Sequence, residues 1–218
     1  MKFYNRFIRT FQDVPEHTTL LIHSLSGCLL HCYGCHNYEE IIARTPREHK
    51  TKEDLYLYLK KSGFLFDAVM FSGGEFLIDK LDEITDLLQV VRNVFTGRIV
   101  IATCGVYNKK IKHLIDQDLV DGIHVDMKLP YHLLDPVEDQ DIFQDVMGIK
   151  PNQQLINNLL DSIDTVIAHN SPIDQVRTVK YPILADVFFE EIRKYIETRK
   201  NYYNSGVPYF LNQFVSPE

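Results

Sequence analysis

Three cysteines, Cys28, Cys32 and Cys35, lie within eight consecutive residues in a C-x3-C-x2-C spacing that directly follows a predicted strand. A compact loop of this kind can direct three thiolates at one metal centre. A structural zinc ion takes four ligands, so it would need a fourth such as His36 or Cys104. A [4Fe–4S] cluster normally takes four thiolates as well. Three cysteines would leave one iron open for a substrate or cofactor, as in a catalytic metal site.

A second motif, Ser72-Gly73-Gly74-Glu75, follows the next predicted strand. In parallel α/β sheets the loops after the strands meet on one side, so this motif and the cysteines are expected to share a face. Glycines let a backbone approach a ligand closely, and a carboxylate can accept a hydrogen bond from an amino group. The alternative is an ordinary strand-to-helix turn with Glu75 in the first turn of the helix.

The elements that must position these motifs alternate between short apolar runs and amphipathic stretches. One strand, loop and helix recur roughly every 30 residues, about the length of one βαβ step. The segment 18–24 could also be a buried helical turn, but the Gly27 loop after it favours a strand. The predicted strands are 18–24, 68–71, 98–102, 122–126, 176–180 and 209–214. The predicted helices run from the N-cap Thr51 to about Gly63, and over 77–94, 109–115, 151–160 and 183–196.

This rhythm predicts an α/β fold with a parallel sheet and helices outside it. A full eight-fold barrel needs about 250 residues, so a partial, TIM-like (β/α)6 barrel or an open doubly wound sheet fits 218 residues better. We expect one domain over 1–218, with the cysteines in a loop over 25–40. The acidic stretch 135–145 is expected to be a solvated loop with one helical turn.

Composition narrows the classes of function. The net charge of −7 and the pI near 5.7 argue against a general nucleic-acid binder, which needs a basic face. No apolar run approaches the ~20 residues that span a bilayer. The first residues lack the apolar core of a secretory signal, which predicts a cytoplasmic protein. Four cysteines in such a protein favour metal or redox chemistry over disulfides.

The cysteine loop and the Gly-Gly-Glu turn together resemble the radical S-adenosylmethionine (SAM) superfamily. In that superfamily three cysteines hold a [4Fe–4S] cluster, and the amino and carboxylate groups of SAM chelate the open iron. The resemblance implies a fold of radical SAM type, with one [4Fe–4S] cluster and SAM as cofactors. The expected cluster ligands are Cys28, Cys32 and Cys35, and the expected receptor of the amino group is Ser72, Gly73, Gly74 and Glu75.

Further segments resemble the glycyl-radical-enzyme activating proteins, and this resemblance covers most of the chain. Gly34, just before the third cysteine, is similar to the activating proteins of anaerobic ribonucleotide reductase. Phe76 departs from the family, in which Pro is common after the Glu. The similar segments are 11–15, 35–37, 119–128, 176–179 and 209–214.

The same resemblance implies the remaining SAM contacts. Asp126 and Lys128 form the family's Asp-x-Lys motif, which contacts the ribose and the carboxylate, and Met127 lies between them as backbone. Gly34 and His36 flank the third cysteine, where the family's backbone borders the adenine. The alternatives are an N-cap for Asp126, a surface position for Lys128 and loop packing for His36.

The resemblance implies an oxidoreductase whose 5′-deoxyadenosyl radical removes a hydrogen atom from a glycine of a large glycyl radical enzyme, so no catalytic side chain is expected. The implied partner is anaerobic ribonucleoside-triphosphate reductase, with reduced flavodoxin or ferredoxin as electron donor. Arg177 could face the partner's glycyl loop or form a structural ion pair. Cys104 is expected to be a small buried side chain. The alternatives are a pyruvate formate-lyase-type activase, an enzyme acting on a small molecule or a tRNA precursor of the 7-deazaguanine branch, and a zinc module without catalysis.

Overall fold

The computed structural model describes residues 1–44 and 46–217. The chain divides into two compact units. The first unit contains Met1–Leu29, Asn37–Thr103 and His113–Ile123, and the second contains Leu30–His36, Cys104–Lys112 and His124–Glu218. That residues 1–218 form one domain stays a prediction. No helix in the described part of the chain combines the length and the apolar character that crossing a membrane requires.

The first unit is built on a sheet. Its strands are β1 (Lys2–Tyr4), β2 (Ile8–Thr10), β3 (Thr19–Ser24), β4 (His49–Thr51), β5 (Ala68–Gly73) and β6 (Arg98–Thr103), followed by the start of β7 (Gly122–Asp126). The spatial order is β4-β1-β3-β5-β6-β7, with β2 paired to β3. The predicted strands β3, β5 and β6 are confirmed and run parallel to each other. The antiparallel strands β1, β2 and β4 were not predicted, because three residues are too few to show an alternating pattern.

Helix α1 (Lys52–Ser62) begins as its sequence predicts. The Asp54 amide donates to Thr51 Oγ1 at 3.2 Å, and Asp54 Oδ2 accepts from the Thr51 amide at 2.8 Å. This reciprocal capping box satisfies two amide groups that the first turn leaves open. Leu55 and Leu59 then bury the inner face of the helix.

The helix predicted over 77–94 is interrupted, so this prediction was wrong at its start. A short 3₁₀ turn covers Phe76–Ile78, Asp79 and Lys80 are extended, and α2 runs only over Leu81–Arg92. The apolar spacing is helical throughout, but Glu75 caps the 3₁₀ turn, and the extended backbone after it separates the two helical pieces.

Asp121 ties β6 to the start of β7 and supplies a test of the fold. Its carboxylate accepts from the Ile99 amide at 2.8 Å, from Arg92 at 2.7 Å and from Arg98 at 3.1 Å. Burial acts to raise the pKa of Asp121, but the hydrogen bonds from Ile99 and Arg92 outweigh it and lower the pKa. A group with a lowered folded-state pKa stabilises the fold above its unfolded pKa, and this contribution is lost as the pH falls through the folded value.

We therefore expect Asp121→Asn to lower the free energy of unfolding by about 2 kcal/mol at pH 7, since it weakens charge-assisted hydrogen bonds to a half-buried carboxylate. Urea unfolding at pH 7 and at pH 3 measures this. The difference between variant and wild type should shrink at pH 3. The exposed Asp145→Asn is the control, and an equal loss in both variants would contradict the assignment.

The second unit contains the end of β7 together with β8 (Gln175–Lys180) and β9 (Tyr209–Gln213), which pair in parallel. Its helices are α4 (Gln140–Met147), α5 (Gln153–His169) and α6 (Asp186–Tyr203), while α3 (Asn108–Asp116) is shared between the two units. Helix α5 is longer than predicted because Ile163, Val166 and Ile167 extend its buried face beyond residue 160. It ends at Asn170, which is left-handed with φ +53°.

The acidic stretch 135–145 was predicted as a solvated loop with one helical turn, and the second half of that prediction was wrong. Helix α4 spans two turns, and its apolar positions at i, i+3 and i+4 are Phe143, Val146 and Met147, all fully buried. The helical pattern is not visible within the acidic stretch alone, because two of its three buried positions, Val146 and Met147, lie beyond residue 145.

Candidate metal centre

In the first unit, the loop that leads to Cys28 lies against the Gly-Gly-Glu turn. Strands β3 and β5 are paired in register, with Ser24 opposite Gly73, so both chains leave the sheet at the same edge. The Glu75 amide then donates to the carbonyl of Gly27 at 2.7 Å. The predicted proximity of these two loops is therefore confirmed.

The two glycines are required by this close packing. Gly73 has φ +117°, and a Cβ there would lie 2.5 Å from the backbone nitrogen and oxygen of Ser24. A Cβ on Gly74 would lie 2.1 Å from the Gly27 carbonyl oxygen. We had predicted that the glycines admit a ligand. The structure shows a further reason why glycine is required at these two positions, since any side chain would separate the turn from the cysteine loop.

Glu75 is only 1% exposed, and its carboxylate already has partners. Its Oε1 atom accepts from the Leu77 amide at 3.0 Å and from Thr103 Oγ1 at 2.9 Å. A buried carboxylate needs such bonds, and here they also cap the 3₁₀ turn. Ser72 precedes the glycines at half-buried depth. That this motif receives an amino group stays a prediction.

Asn37 contributes a contact that was not predicted from the sequence. Its side-chain amide donates to the carbonyl of Gly73 at 2.8 Å, which ties the end of the cysteine loop to the Gly-Gly turn. A π-helical turn, Tyr38–Ala43, starts directly after it, and such turns are frequent at functional sites. The Cys-His-Asn motif was the signal that could have identified this role.

In the second unit, the backbone of residues 30–36 is held by the end of α4. The amides of His31 and Tyr33 donate to the carbonyls of Met147 and Val146 at 2.9 and 3.0 Å. These carbonyls are the last of the helix and lack a partner within it. Gly148, with φ +64°, allows the approach, since a Cβ there would lie 2.3 Å from the His31 carbonyl oxygen. The C-terminal end of α4, just after the acidic stretch, thus supports the cysteine loop.

Asp126 forms a charged group with two cations at the end of β7. Its Oδ2 atom lies 2.9 Å from Lys128 Nζ, and its Oδ1 atom lies 3.3 Å from Arg177 Nη2. Burial acts to raise the pKa of Asp126, but the charges of Lys128 and Arg177 outweigh it and lower the pKa. Burial acts to lower the pKa of Lys128, and Asp126 raises it well above its usual value. Both groups are therefore charged at neutral pH.

Met127 is fully buried between these two residues. Its amide donates to the carbonyl of Arg177 at 2.8 Å, and its carbonyl accepts from Thr178 Oγ1 at 2.6 Å. The side chains of Asp126 and Lys128 are thus fixed by a backbone that is bonded to β8. Arg177 has the ion pair that we considered for it, and a role towards a partner protein stays untested.

The charges of the Asp-x-Lys motif also shift the pKa of Cys32 in the cysteine loop. Burial raises the pKa of the Cys32 thiol, while the Lys128 ammonium opposes this shift. Cys35 and Asp126 add negative charge and raise the same pKa. Cys35, Asp126 and Lys128 therefore lie within electrostatic range of Cys32, and the positive charge of Lys128 favours the thiolate form of Cys32. That these residues form one cofactor site stays a prediction.

Gly34 and His36 are in contact with the segment after β9. A Cβ on Gly34 would lie 2.6 Å from the Phe214 ring, and His36 Nε2 lies 2.8 Å from the Val215 carbonyl oxygen. Both residues were predicted to border the adenine of SAM. The structure places them in loop packing, which was the alternative for His36, and their role towards a cofactor stays a prediction.

The comparisons with known proteins agree with this arrangement. The model of a family described as "4Fe-4S single cluster domain" matches residues 18–142, more than half of the chain. A solved structure of hexahistidine-tagged anSMEcpe with bound AdoMet is 16% identical, with a TM-score of 0.56, over 89% of this chain and 50% of that chain. Coproporphyrinogen III oxidase (HemN) from Escherichia coli, described as a radical SAM enzyme, is 14% identical, with a TM-score of 0.52, over 94% of this chain and 46% of that chain. This chain spans about half the length of these two proteins. Comparison with curated proteins gives no significant match.

The chain therefore has the fold of the radical SAM enzymes, which confirms the predicted α/β fold of the partial (β/α)6, TIM-like barrel type. The matched residues include the cysteine loop, the Gly-Gly-Glu turn and the Asp-x-Lys motif. The chain belongs to the 4Fe-4S single cluster domain family.

The residues present fit the [4Fe–4S] cluster that this family implies. Cys28, Cys32 and Cys35 are thiols at intermediate exposure, whereas Cys104 is buried, as predicted. Thiolates are the usual ligands of such clusters, and the Lys128 ammonium compensates negative charge beside Cys32. Within residues 1–44 and 46–217, no group of three His, Cys, Asp or Glu side chains is close enough to hold a metal ion. The thiolates of a cube bind different iron atoms, so they need not surround one ion.

Proposed function

We propose that this protein is a radical SAM oxidoreductase that activates a glycyl radical enzyme. The observation that supports this best is the Asp126–Lys128 pair, which is charged and lies within electrostatic reach of Cys32. A cofactor with hydroxyl, amino and carboxylate groups would find a hydrogen-bond acceptor and a cation beside the cluster loop. The neighbour anSMEcpe was solved with AdoMet bound, which suggests SAM as that cofactor.

A bound [4Fe–4S] cluster would supply one electron for the cleavage of SAM to methionine and a 5′-deoxyadenosyl radical, which then takes a hydrogen atom from its target. The protein's own residues bind and aim the cofactor. Lys128 is proposed to pair with the SAM carboxylate and Asp126 to accept from the ribose hydroxyls. The Gly-Gly-Glu turn, held rigidly by Gly27 and Asn37, is proposed to receive the amino group.

The proposed target is a glycine in a large glycyl radical enzyme, of the anaerobic ribonucleoside-triphosphate reductase kind. Gly34 before the third cysteine and the Cys-His-Asn motif support this choice. Apart from the three loop cysteines, the sequence contains only Cys104, which is buried, so it offers no thiolates for a second cluster. We further propose a cytoplasmic location and reduced flavodoxin or ferredoxin as the electron donor.

Electron paramagnetic resonance tests this proposal. The reconstituted, reduced protein is mixed with SAM and either an anaerobic ribonucleotide reductase or pyruvate formate-lyase. We expect a glycyl doublet with the reductase. A doublet with the lyase alone would favour the second type of activase. Deoxyadenosine formed only with a small molecule or a tRNA precursor would overturn the activase proposal, while colourless protein holding one zinc ion would overturn radical chemistry altogether.

Replacement of Lys128 tests the proposed SAM contact. Lys128→Met removes the ammonium and leaves Asp126 paired only with Arg177, so we expect SAM to bind at least tenfold more weakly, a loss of roughly 1.4 kcal/mol or more. Calorimetric titration of the cluster-loaded protein with SAM measures the affinity. Lys80→Met, at an exposed lysine outside the motif, should bind SAM as the wild type does. Equal affinity in all three proteins would exclude Lys128 as a SAM ligand.

A further inference from the structure

The segment after β9, residues 214–217, packs directly on the cysteine loop; we call it the post-β9 segment. The Phe214 ring occupies the position where a side chain of Gly34 would begin, 2.6 Å from the Cβ that Gly34 lacks. Pro217 Cδ lies 3.6 Å from the same point. The His36 ring is 2.8 Å from the Val215 carbonyl oxygen, which can only accept, so His36 Nε2 is the donor.

Phe214 also completes a group of three aromatic rings. Its centroid lies 5.4 Å from that of Tyr33 and 6.4 Å from that of Tyr181, and the Tyr33 and Tyr181 centroids are 6.2 Å apart. These separations lie within the range of favourable aromatic pairs. Tyr33 belongs to the cysteine loop, so the ring of Phe214 packs against this loop at both Tyr33 and Gly34.

Two other segments of the second unit therefore contact the loop around Cys32 and Cys35. Helix α4 bonds to the amides of His31 and Tyr33, and the post-β9 segment contacts Gly34 and His36. The loop has no regular secondary structure over residues 30–36, and Gly34 at φ +54° has wide conformational freedom. Inside the loop the Cys35 amide donates to the Cys32 carbonyl at 3.2 Å, and contacts from outside the loop add to the order that this turn provides.

We propose that Phe214 is a positioning residue that holds the Cys32–Cys35 loop in the conformation that presents its thiols, and that covers this loop from solvent. The proposal rests on the cysteine loop and not on hydrogen abstraction from a partner. It can therefore fail while the proposed function stands, and the reverse also holds.

Thiol alkylation of the metal-free, reduced protein tests the proposal without any cofactor. Iodoacetamide is added, and mass spectrometry follows the modification rate of each cysteine. In Phe214→Ala we expect Cys32 and Cys35 to react about tenfold faster than in the wild type, the factor for a loss of roughly 1.4 kcal/mol of local packing. Cys104, buried in the same unit, should keep its rate.

Phe210→Ala is the matched control, because Phe210 is an aromatic residue on β9 that is 39% exposed. It should leave all the rates unchanged. Phe214→Leu restores apolar bulk and should return the rates of Cys32 and Cys35 most of the way to the wild type. If Phe214→Ala accelerates Cys104 equally, the second unit has opened as a whole, and Phe214→Leu decides: a residual acceleration that is smaller than in Phe214→Ala and confined to Cys32 and Cys35 supports the proposal, whereas wild-type rates at all three cysteines, or equal acceleration of all three, overturn it. Unchanged rates at Cys32 and Cys35 in Phe214→Ala also overturn it.

A second measurement uses the cluster-loaded protein. Loss of iron to an added chelator should be about tenfold faster in Phe214→Ala than in the wild type, since the loop that carries two ligands opens more often. Phe210→Ala should lose iron at the wild-type rate. Equal rates of iron loss in Phe214→Ala and the wild type would contradict the covering role.

Discussion

Replacing any one of Cys28, Cys32 and Cys35 with Ala is expected to abolish SAM cleavage. Each replacement leaves two thiolates on the loop, and neither His36 nor Cys104 is placed to substitute for the third. His36 already donates to the Val215 carbonyl, and Cys104 is buried. The measurements are the iron content after anaerobic reconstitution and the deoxyadenosine formed from SAM under reducing conditions. We expect less than about one hundredth of the wild-type rate, a loss of more than roughly 2.7 kcal/mol.

Cys104→Ala is the matched control. The Cys104 side chain is small and buried, so Cys104→Ala should change the free energy of unfolding by only about 1 kcal/mol. The iron content and SAM cleavage should stay nearly intact. Loss of the cluster in Cys104→Ala would mean that the three-thiolate assignment is wrong.

The strands that carry the motifs could be predicted because each is mostly buried and contains a short stretch rich in aliphatic and β-branched residues. The segments around β3, β5, β6 and β7 fall within one or two residues of their predicted bounds. Their order along the chain also predicted the edge at which the cysteine loop and the Gly-Gly-Glu turn meet. Parallel strands bring their carboxyl ends to the same edge, and this required no knowledge of side-chain contacts.

The contacts that hold the loop could not be predicted in the same way. The hydrogen bonds from His31 and Tyr33 to the end of α4 join backbone atoms, and residue types do not indicate which backbone groups will pair. The acidic residues in and before α4 predict a solvent-exposed segment, although the end of this helix packs in the core and supports the loop. The contact between Gly34 and Phe214 joins residues that are far apart in the chain. A glycine in a loop indicates that space is needed, but not which side chain needs it.

The glycines of the Gly-Gly-Glu turn have a structural role that their sequence did not predict. The sequence suggested that its glycines make room for a ligand, and the structure shows backbone on the other side. The turn lies on the Gly27 carbonyl, directly before Cys28, and Asn37 bonds to it from beyond Cys35. The turn is thus part of what fixes both ends of the cysteine loop, whatever it binds in addition.

Gly74→Ala is therefore expected to be the most damaging substitution outside the cysteines. The new Cβ would lie 2.1 Å from the Gly27 carbonyl oxygen and 2.7 Å from its carbonyl carbon, and neither atom belongs to a flexible side chain. The turn and the cysteine loop must separate, which breaks the bond from the Glu75 amide to Gly27. We expect a loss of about 3 kcal/mol in the free energy of unfolding and a failure to retain iron.

Two glycines provide the controls for this prediction. Gly27→Ala adds a Cβ with nothing within 4 Å, so only its φ of +85° resists the change, at a cost of about 1–2 kcal/mol. Gly206→Ala meets its nearest atom at 3.8 Å and should stay within about 0.5 kcal/mol of the wild type. Urea unfolding and iron content measure all three variants. If Gly74→Ala were as stable as Gly206→Ala and kept its iron, the close contact between the turn and the cysteine loop would not be what holds that loop in place.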